Sequence, residues 1–187
     1  MTTRRDFLQS LLIGTGTTMA ATATSSAWGN AVLPEATMIG ERSLNLYNIH
    51  TGEFVNQIYW QDGHYIQEGL DDINVLLRDF RTREVSNISR NLLDDLHDLQ
   101  TIFNPKQPIS IISGYRSPKT NAQLRKNGGV AKRSLHMQGK AIDIRLPGID
   151  LKHVQKAAIQ MQRGGVGIYT KSNFVHLDTG RVRRWGY

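Results

Sequence analysis

Two pentapeptides in the C-terminal half, Ala141-Ile142-Asp143-Ile144-Arg145 and Phe174-Val175-His176-Leu177-Asp178, alternate branched apolar residues with small, polar or aromatic ones. A period of two is the pattern of a β-strand, whose successive side chains point to opposite faces of a sheet. Ile142, Ile144, Val175 and Leu177 then face a core, while Ala141, Asp143, Phe174, His176 and Asp178 share the other face. Helical signals supply the cover for that core. Ile73, Leu76, Leu77 and Phe80 recur at i, i+3, i+4 and i+7, and Leu92, Leu93, Leu96, Leu99 and Phe103 make a second stripe. Residues 43–49 and 54–60, joined by the turn His50-Thr51-Gly52-Glu53, predict a hairpin, with Asp62-Gly63 as a further turn. Pro105 and Pro108 end the helical region. Ile109–Ser113 predicts a strand, a third helix starts near Pro118, and Gly128-Gly129 breaks the chain beyond it. Leu151–Met161 predicts a helix, and residues 166–169 and 182–185 predict short strands. The whole reads as α+β: a small, mostly antiparallel sheet with helices packed on it, in one domain over residues 41–187, preceded by a linker over 28–40.

Composition sets the limits on what this domain does. A chain of 187 residues with 39% hydrophobic and 21% charged residues buries roughly two-thirds of its unfolded surface and folds by its core alone. The absence of cysteine excludes disulfides, a thiolate nucleophile and iron–sulfur clusters, so any metal is held by His, Asp or Glu. A net charge of +7 and a pI near 9.9 favour an acidic partner such as nucleic acid, anionic lipid or an anionic polymer. At the N-terminus, Arg4 and Arg5 precede Phe7-Leu8 and a weakly apolar run rich in Gly, Thr and Ala. This predicts a twin-arginine export signal over residues 1–27, cleaved after Ala23 or Ala27, with the export machinery as partner and the periplasm as destination. The run is too short and too polar for a stable span, which needs ~20 apolar residues. Its charged residues are Arg4, Arg5 and Asp6, so the basicity belongs to the mature domain. Export also turns the expected partner from nucleic acid to an anionic wall.

Chemistry gathers on the polar face of the two pentapeptides. His136 precedes Asp143 by seven residues, with Gly139 between them to turn the backbone and the small Ala141 beside the carboxylate. His176 and Asp178 share a face two strand positions apart. His136, Asp143 and His176 are thus able to converge as two nitrogens and one carboxylate, a donor set that suits catalytic zinc. Spacing alone leaves this open beside a structural or exposed His–Asp pairing.

Three ordered motifs go further. Ser113-Gly114-Tyr115-Arg116-Ser117, His136-x-x-Gly139-x-Ala141-x-Asp143 and Phe174-Val175-His176 resemble the zinc D-alanyl-D-alanine metallopeptidase family, and in particular its subgroup of twin-arginine-exported murein endopeptidases. The resemblance implies zinc on His136, Asp143 and His176. It implies that Arg116 stabilises an oxyanion or holds a substrate carboxylate, and that Ser134 and Tyr115 line the substrate site. Many relatives carry a Glu or Asp general base three residues before the last ligand, where this chain has Asn173. Asp178 is the substitute candidate, as base or as the residue that orients a ligand.

The implied activity is hydrolysis of a peptide bond in peptidoglycan cross-links, with D,D and L,D bonds both open. Asn173 motivates an alternative, a peptidoglycan-binding protein of the same fold without catalysis; a D,D-carboxypeptidase is another. His50, His64, His97 and His153 are expected on surfaces or turns. Gly164-Gly165-Val166-Gly167 is expected to supply tight backbone geometry, since no phosphate-loop lysine follows it. Arg181, Arg183 and Arg184 are expected as a solvated basic face.

Overall fold

A computed structural model describes residues 40–126, 128 and 130–186. The expected export signal, and the expected linker up to residue 39, lie outside the described residues. Among the described residues the elements run β1 (Glu41–Asn48), β2 (Phe54–Gln61), β3 (His64–Tyr65), α1 (Gln67–Leu76), α2 (Arg90–Phe103), β4 (Ile109–Ser113), α3 (Pro118–Lys126), a short 3-10 helix (Leu135–Gln138), β5 (Ala141–Arg145), α4 (Leu151–Met161), β6 (Gly165–Tyr169), β7 (Phe174–Asp178) and β8 (Arg183–Trp185). The strands form one sheet in the order β3-β2-β1-β4-β5-β7-β6-β8. Only the β1–β4 and β6–β8 pairings are parallel; the others are antiparallel. This is the α+β domain expected from the period-two and helical patterns.

The core lies on one face of the sheet. Ile142 and Ile144 of β5 and Val175 and Leu177 of β7 join Leu44, Leu46, Ile109 and Ile111 from the neighbouring strands in a single apolar cluster. Helices α1, α2 and α4 close it with Ile73, the four leucines of α2, and Val154 with Ala158. Leu92, Leu93, Leu96 and Leu99 are all fully buried, and each such leucine contributes about 1.5–3 kcal/mol relative to exposure. The helix α2 stops where Asn104 adopts a left-handed φ of 39° and its amide reaches Gln100 O; Pro105 then blocks continuation. At the start of α4 the Asp150 carboxylate accepts the Lys152 amide at 2.7 Å, an N-terminal cap.

Two local expectations are corrected. The stripe through Phe80 ends earlier than its period suggests, because α1 stops at Leu76. The Asp79 carboxylate accepts the amides of Arg81 and Thr82 and so offers the backbone a turn in place of another helical one. Phe80 is left to stack on His50, 4.0 Å between ring centroids. His97 is also not a surface residue. It lies half-buried on α2, and its Nδ1 meets Ser43 O at 3.1 Å, tying that helix to β1. No described helix is long and apolar enough to cross a membrane.

Candidate metal centre

Strand register lays two rows of side chains across the open face of the sheet. Ser113, Asp143, His176, Gly167 and Trp185 are successive cross-strand partners on β4, β5, β7, β6 and β8. Ala141, Asp178, Gly165 and Arg183 form the adjacent row. Direct partners in such a ladder stand about 5 Å apart, so the pairing itself brings Asp143 against His176.

His136 arrives from outside the sheet. The 3-10 helix that carries it ends at Gly139, with a φ of 63°, and a Cβ at that position would lie inside the Asn87 carbonyl. Glycine alone permits both the turn and the close approach. His136 Nδ1 lies 2.8 Å from Gly114 O. A carbonyl only accepts, so Nδ1 carries a proton, and Nε2 is the nitrogen turned toward the carboxylate, 3.5 Å from Asp143 Oδ2. Asp143 Oδ1 is 2.8 Å from His176 Nδ1. One donor atom from each of His136, Asp143 and His176 thus lies within 4.8 Å of the others. Burial pushes the Asp143 carboxyl up, but the two facing imidazoles outweigh it and hold the group well below the usual carboxylate range. Two imidazole nitrogens and one carboxylate match the open, three-ligand chemistry of catalytic zinc, and the donors here fit it.

His176 is gripped from its far side as well. Its Nε2 lies 3.0 Å from Asp178 Oδ2. The Asp178 side chain is wholly buried and accepts from the amides of Gly165 and Gly180 and from both terminal nitrogens of Arg183, at 2.9 and 2.6 Å. Burial alone raises the Asp178 carboxyl, yet these donors together with His176 bring it well below its ordinary value. For His176, burial works against the charged ring, and the flanking carboxylates of Asp143 and Asp178 reverse that and raise its pKa.

Arg116 is placed by its backbone. Three consecutive amides are pinned: Tyr115 N donates to Leu77 O at 2.7 Å, Arg116 N to His136 O at 3.1 Å, and Ser117 N to Asp79 Oδ2 at 2.8 Å. Arg116 is only 9% exposed, and burial lowers the pKa of its guanidinium. Among the described residues it makes one long contact, 3.4 Å to Ser113 Oγ, and lies 4.0 Å from Asp143 Oδ2. Among the described residues its Nε has no hydrogen-bond partner. A buried guanidinium with unspent donors is a receptor for negative charge on a bound molecule.

These groups line a cleft of about 260 Å³. Ser134 and Arg133 border it beside His136, and Tyr169, Phe174 and Trp185 form an aromatic wall. Tyr169 and Phe174 stack with centroids 4.6 Å apart, and Trp185 Nε1 donates to the Tyr169 hydroxyl at 2.9 Å. Tyr115 is placed differently from a lining residue: its side chain packs against the apolar core. Asn173 lies in the turn between β6 and β7, with a φ of 55° that asparagine tolerates, and its carbonyl accepts Arg145 Nε. Among the described residues that line the cleft, the carboxylates are Asp143 and Asp178.

Sequence reasoning missed Arg183 and Trp185. Arg181 and Arg184 are exposed as expected, but Arg183 turns inward to Asp178. The available signal was the matched spacing of Gly165-x-Gly167 with Arg183-x-Trp185, small residues on one strand offering room to large ones on the next.

Comparison with known proteins now bears on this geometry. A family model described as peptidoglycan L,D-endopeptidase MepK matches residues 36–185. The peptidoglycan L,D-endopeptidase MepK of Escherichia coli strain K12 is 44% identical over 165 residues, covering 85% of this chain and 91% of that protein. The Shigella flexneri protein of the same name shows the same figures. A probable peptidoglycan L,D-endopeptidase MepK of Haemophilus influenzae is 39% identical over 158 residues, covering 83% of this chain and 85% of its own. No solved structure matches. With a match running from the first described strand to the last, and over most of the length of both partners, the chain belongs to the family of the peptidoglycan L,D-endopeptidase MepK.

Proposed function

We propose that this chain is a zinc-dependent murein endopeptidase of the periplasm, delivered by the twin-arginine route, that hydrolyses an L,D peptide bond in peptidoglycan cross-links. Its family makes it a murein endopeptidase and peptidoglycan hydrolase. The observation that carries the zinc-dependent reading is the meeting of His136, Asp143 and His176 donors within 4.8 Å in a cleft that also holds the under-partnered guanidinium of Arg116; export rests on Arg4, Arg5 and the apolar run that follows them.

In this reading His136 through Nε2, Asp143 through a carboxylate oxygen and His176 through Nδ1 would hold the ion. When bound, zinc supplies Lewis acidity, which polarises a carbonyl and makes water more acidic. The chain's own residues orient the donors and bind the substrate. Gly114 O keeps the proton of His136 on Nδ1 and so leaves Nε2 free as a donor to the ion. Asp178 accepts a hydrogen bond from His176 Nε2 and so holds the ring with Nδ1 turned to Asp143, where an ion would take the place of the proton that the two groups share. With its oxygens already engaged by two amides and a guanidinium, Asp178 acts as a positioning residue and not as the proton acceptor. Arg116 donates to the negative charge that develops on the scissile carbonyl oxygen or to a carboxylate of the stem peptide. Ser134 bonds substrate at the cleft wall, and Tyr115 anchors the segment beside Arg116 by packing on the core. The strongly basic chain matches an anionic wall polymer.

One observation favours a second reading, a wall-binding protein without catalysis: the cleft offers Asp143 and Asp178 but no third described carboxylate. Sacculus digestion separates the two. The purified protein is expected to carry near-stoichiometric zinc and to release muropeptides by opening cross-links closed through L,D bonds. Removal of the ion by a chelator abolishes release, added zinc restores it, and His136→Ala lacks both metal and release. Binding to sacculi without release would establish the second reading. Release of free D-alanine alone would establish a carboxypeptidase. Absence of zinc with no recovery on reconstitution would overturn the metal assignment.

A further inference from the structure

Asp178 Oδ2 is the atom that meets His176 Nε2, and how that oxygen is held decides how the imidazole is aimed. The amides of Gly165 and Gly180 both bond to the other oxygen, Oδ1. The remaining partner of Oδ2 is Arg183 Nη2 at 2.6 Å, while Arg183 Nη1 reaches Oδ1 at 2.9 Å. A planar guanidinium that grips both oxygens fixes the plane of the carboxylate, which no single amide does. Arg183 is itself held, by Arg181 O at 3.1 Å and by its stack on Trp185, 5.0 Å from the ring centroid. Trp185 in turn packs on the His176 ring with centroids 5.2 Å apart.

The path these two side chains take is built into β6. Arg183 and Trp185 belong to the edge strand β8, and β6 lies between that strand and β7. To reach Asp178 and His176 they cross over Gly165 and Gly167, their direct partners in the ladder. A Cβ on Gly165 would meet the Arg183 guanidinium and the Asp178 carboxylate, and one on Gly167 would lie inside the Trp185 indole. Neither glycine has a positive φ, so the requirement is for space and not for backbone freedom.

We infer that Arg183 is a positioning residue for the metal centre, acting through Asp178 to aim His176 Nδ1 at the ion, with Gly165 and Gly167 kept bare so that β8 can reach across β6. The inference rests on the reading of His176 as a zinc ligand. Residues that orient a metal-bound imidazole typically govern metal affinity by 10–100-fold.

The test is zinc affinity, measured by competition with a chromophoric chelator on the full chain, beside thermal unfolding of the metal-free proteins. Asp178→Asn is expected to weaken zinc 10–100-fold and Arg183→Met about tenfold. Arg183→Lys falls between Arg183→Met and wild type, because an ammonium replaces the fork by a point contact. The double variant binds zinc no more than about twofold worse than Asp178→Asn alone, since the arginine acts through the aspartate. A purely structural role would lower metal-free stability without this non-additivity. Wild-type affinity in Arg183→Met, or losses that multiply in the double variant, would overturn the inference. If Arg183→Met does not fold, Arg183→Lys decides in its place: weakened zinc supports the inference and unchanged zinc overturns it. Failure of the underlying reading looks different, because then wild type binds no zinc or His176→Ala binds it as tightly as wild type.

Discussion

Asp79→Asn isolates the anchor behind Arg116. Asp79 is 2% exposed. Its Oδ2 accepts the Ser117 amide at 2.8 Å, and its Oδ1 accepts those of Arg81 at 2.9 Å and Thr82 at 3.4 Å. Burial pushes this carboxyl up, but the hydrogen bonds from Thr120, Ser117 and Arg81 prevail and bring it from the ordinary 3.8 to about 2. At about 1.4 kcal/mol per pKa unit, and with some screening near the surface, the ionised form contributes about 2 kcal/mol to folding. The loss of one charge-assisted bond, about 1.5–3 kcal/mol, leads to the same figure. Asparagine keeps the shape but turns an NH2 toward an amide donor. The folded pKa lies below the unfolded one, so this stability is fully present above about pH 4 and is lost as pH falls through about 2, with roughly half left at pH 3. Asp79→Asn is therefore expected to lower Tm by about 4–8 °C at neutral pH, and the gap from wild type narrows below pH 4. Circular dichroism melts of both proteins between pH 7 and pH 3 read this directly. Zinc content stays unchanged, because Asp79 touches the backbone beside Arg116 and none of the donors, while kcat/KM falls. Equal Tm values at pH 7, or a gap that stays constant down to pH 3, would refute the reasoning.

Gly139→Ala forces a left-handed residue and drives a methyl into the Asn87 carbonyl; it is expected to cost about 2–4 kcal/mol and to weaken zinc, measured by thermal melts and chelator competition. Unchanged stability would show that the segment carrying His136 has room to relax. Arg116→Lys retains the charge but not the fork, and is expected to lower kcat on purified muropeptides about 10²–10³-fold with zinc affinity intact, since Arg116 is no closer than 4.0 Å to Asp143. Wild-type kcat in that variant would remove Arg116 from the reaction.

Much of this architecture is legible in one dimension because it repeats with the period of the backbone. Ile142, Ile144, Val175 and Leu177 alternate with Asp143 and His176, so their strands, core face and donor face follow from pleating alone, as the buried face of α2 follows from its leucine stripe. His136, Asp143 and His176 are singled out by the ordered motifs that resemble the metallopeptidase family, since residue type and spacing alone leave them beside four other histidines. The endpoint of α1 does not follow from such a pattern: the stripe continues to Phe80, yet the Asp79 carboxylate competes for the next amides and ends the helix. Asn173, a departure from the expected base on sequence grounds, is in the fold a residue suited to a left-handed turn. Arg183 is the clearest case. On paper it is one of three arginines near the C-terminus, and its inward course depends on β8 pairing parallel with β6, on two glycines that leave room, and on a buried carboxylate beyond them. Local periodicity is written residue by residue, whereas strand order and the partners of Arg183 join segments distant in the chain. Those are selected by closing the whole sheet over its core and by neutralising the charge of Asp178, buried in the process.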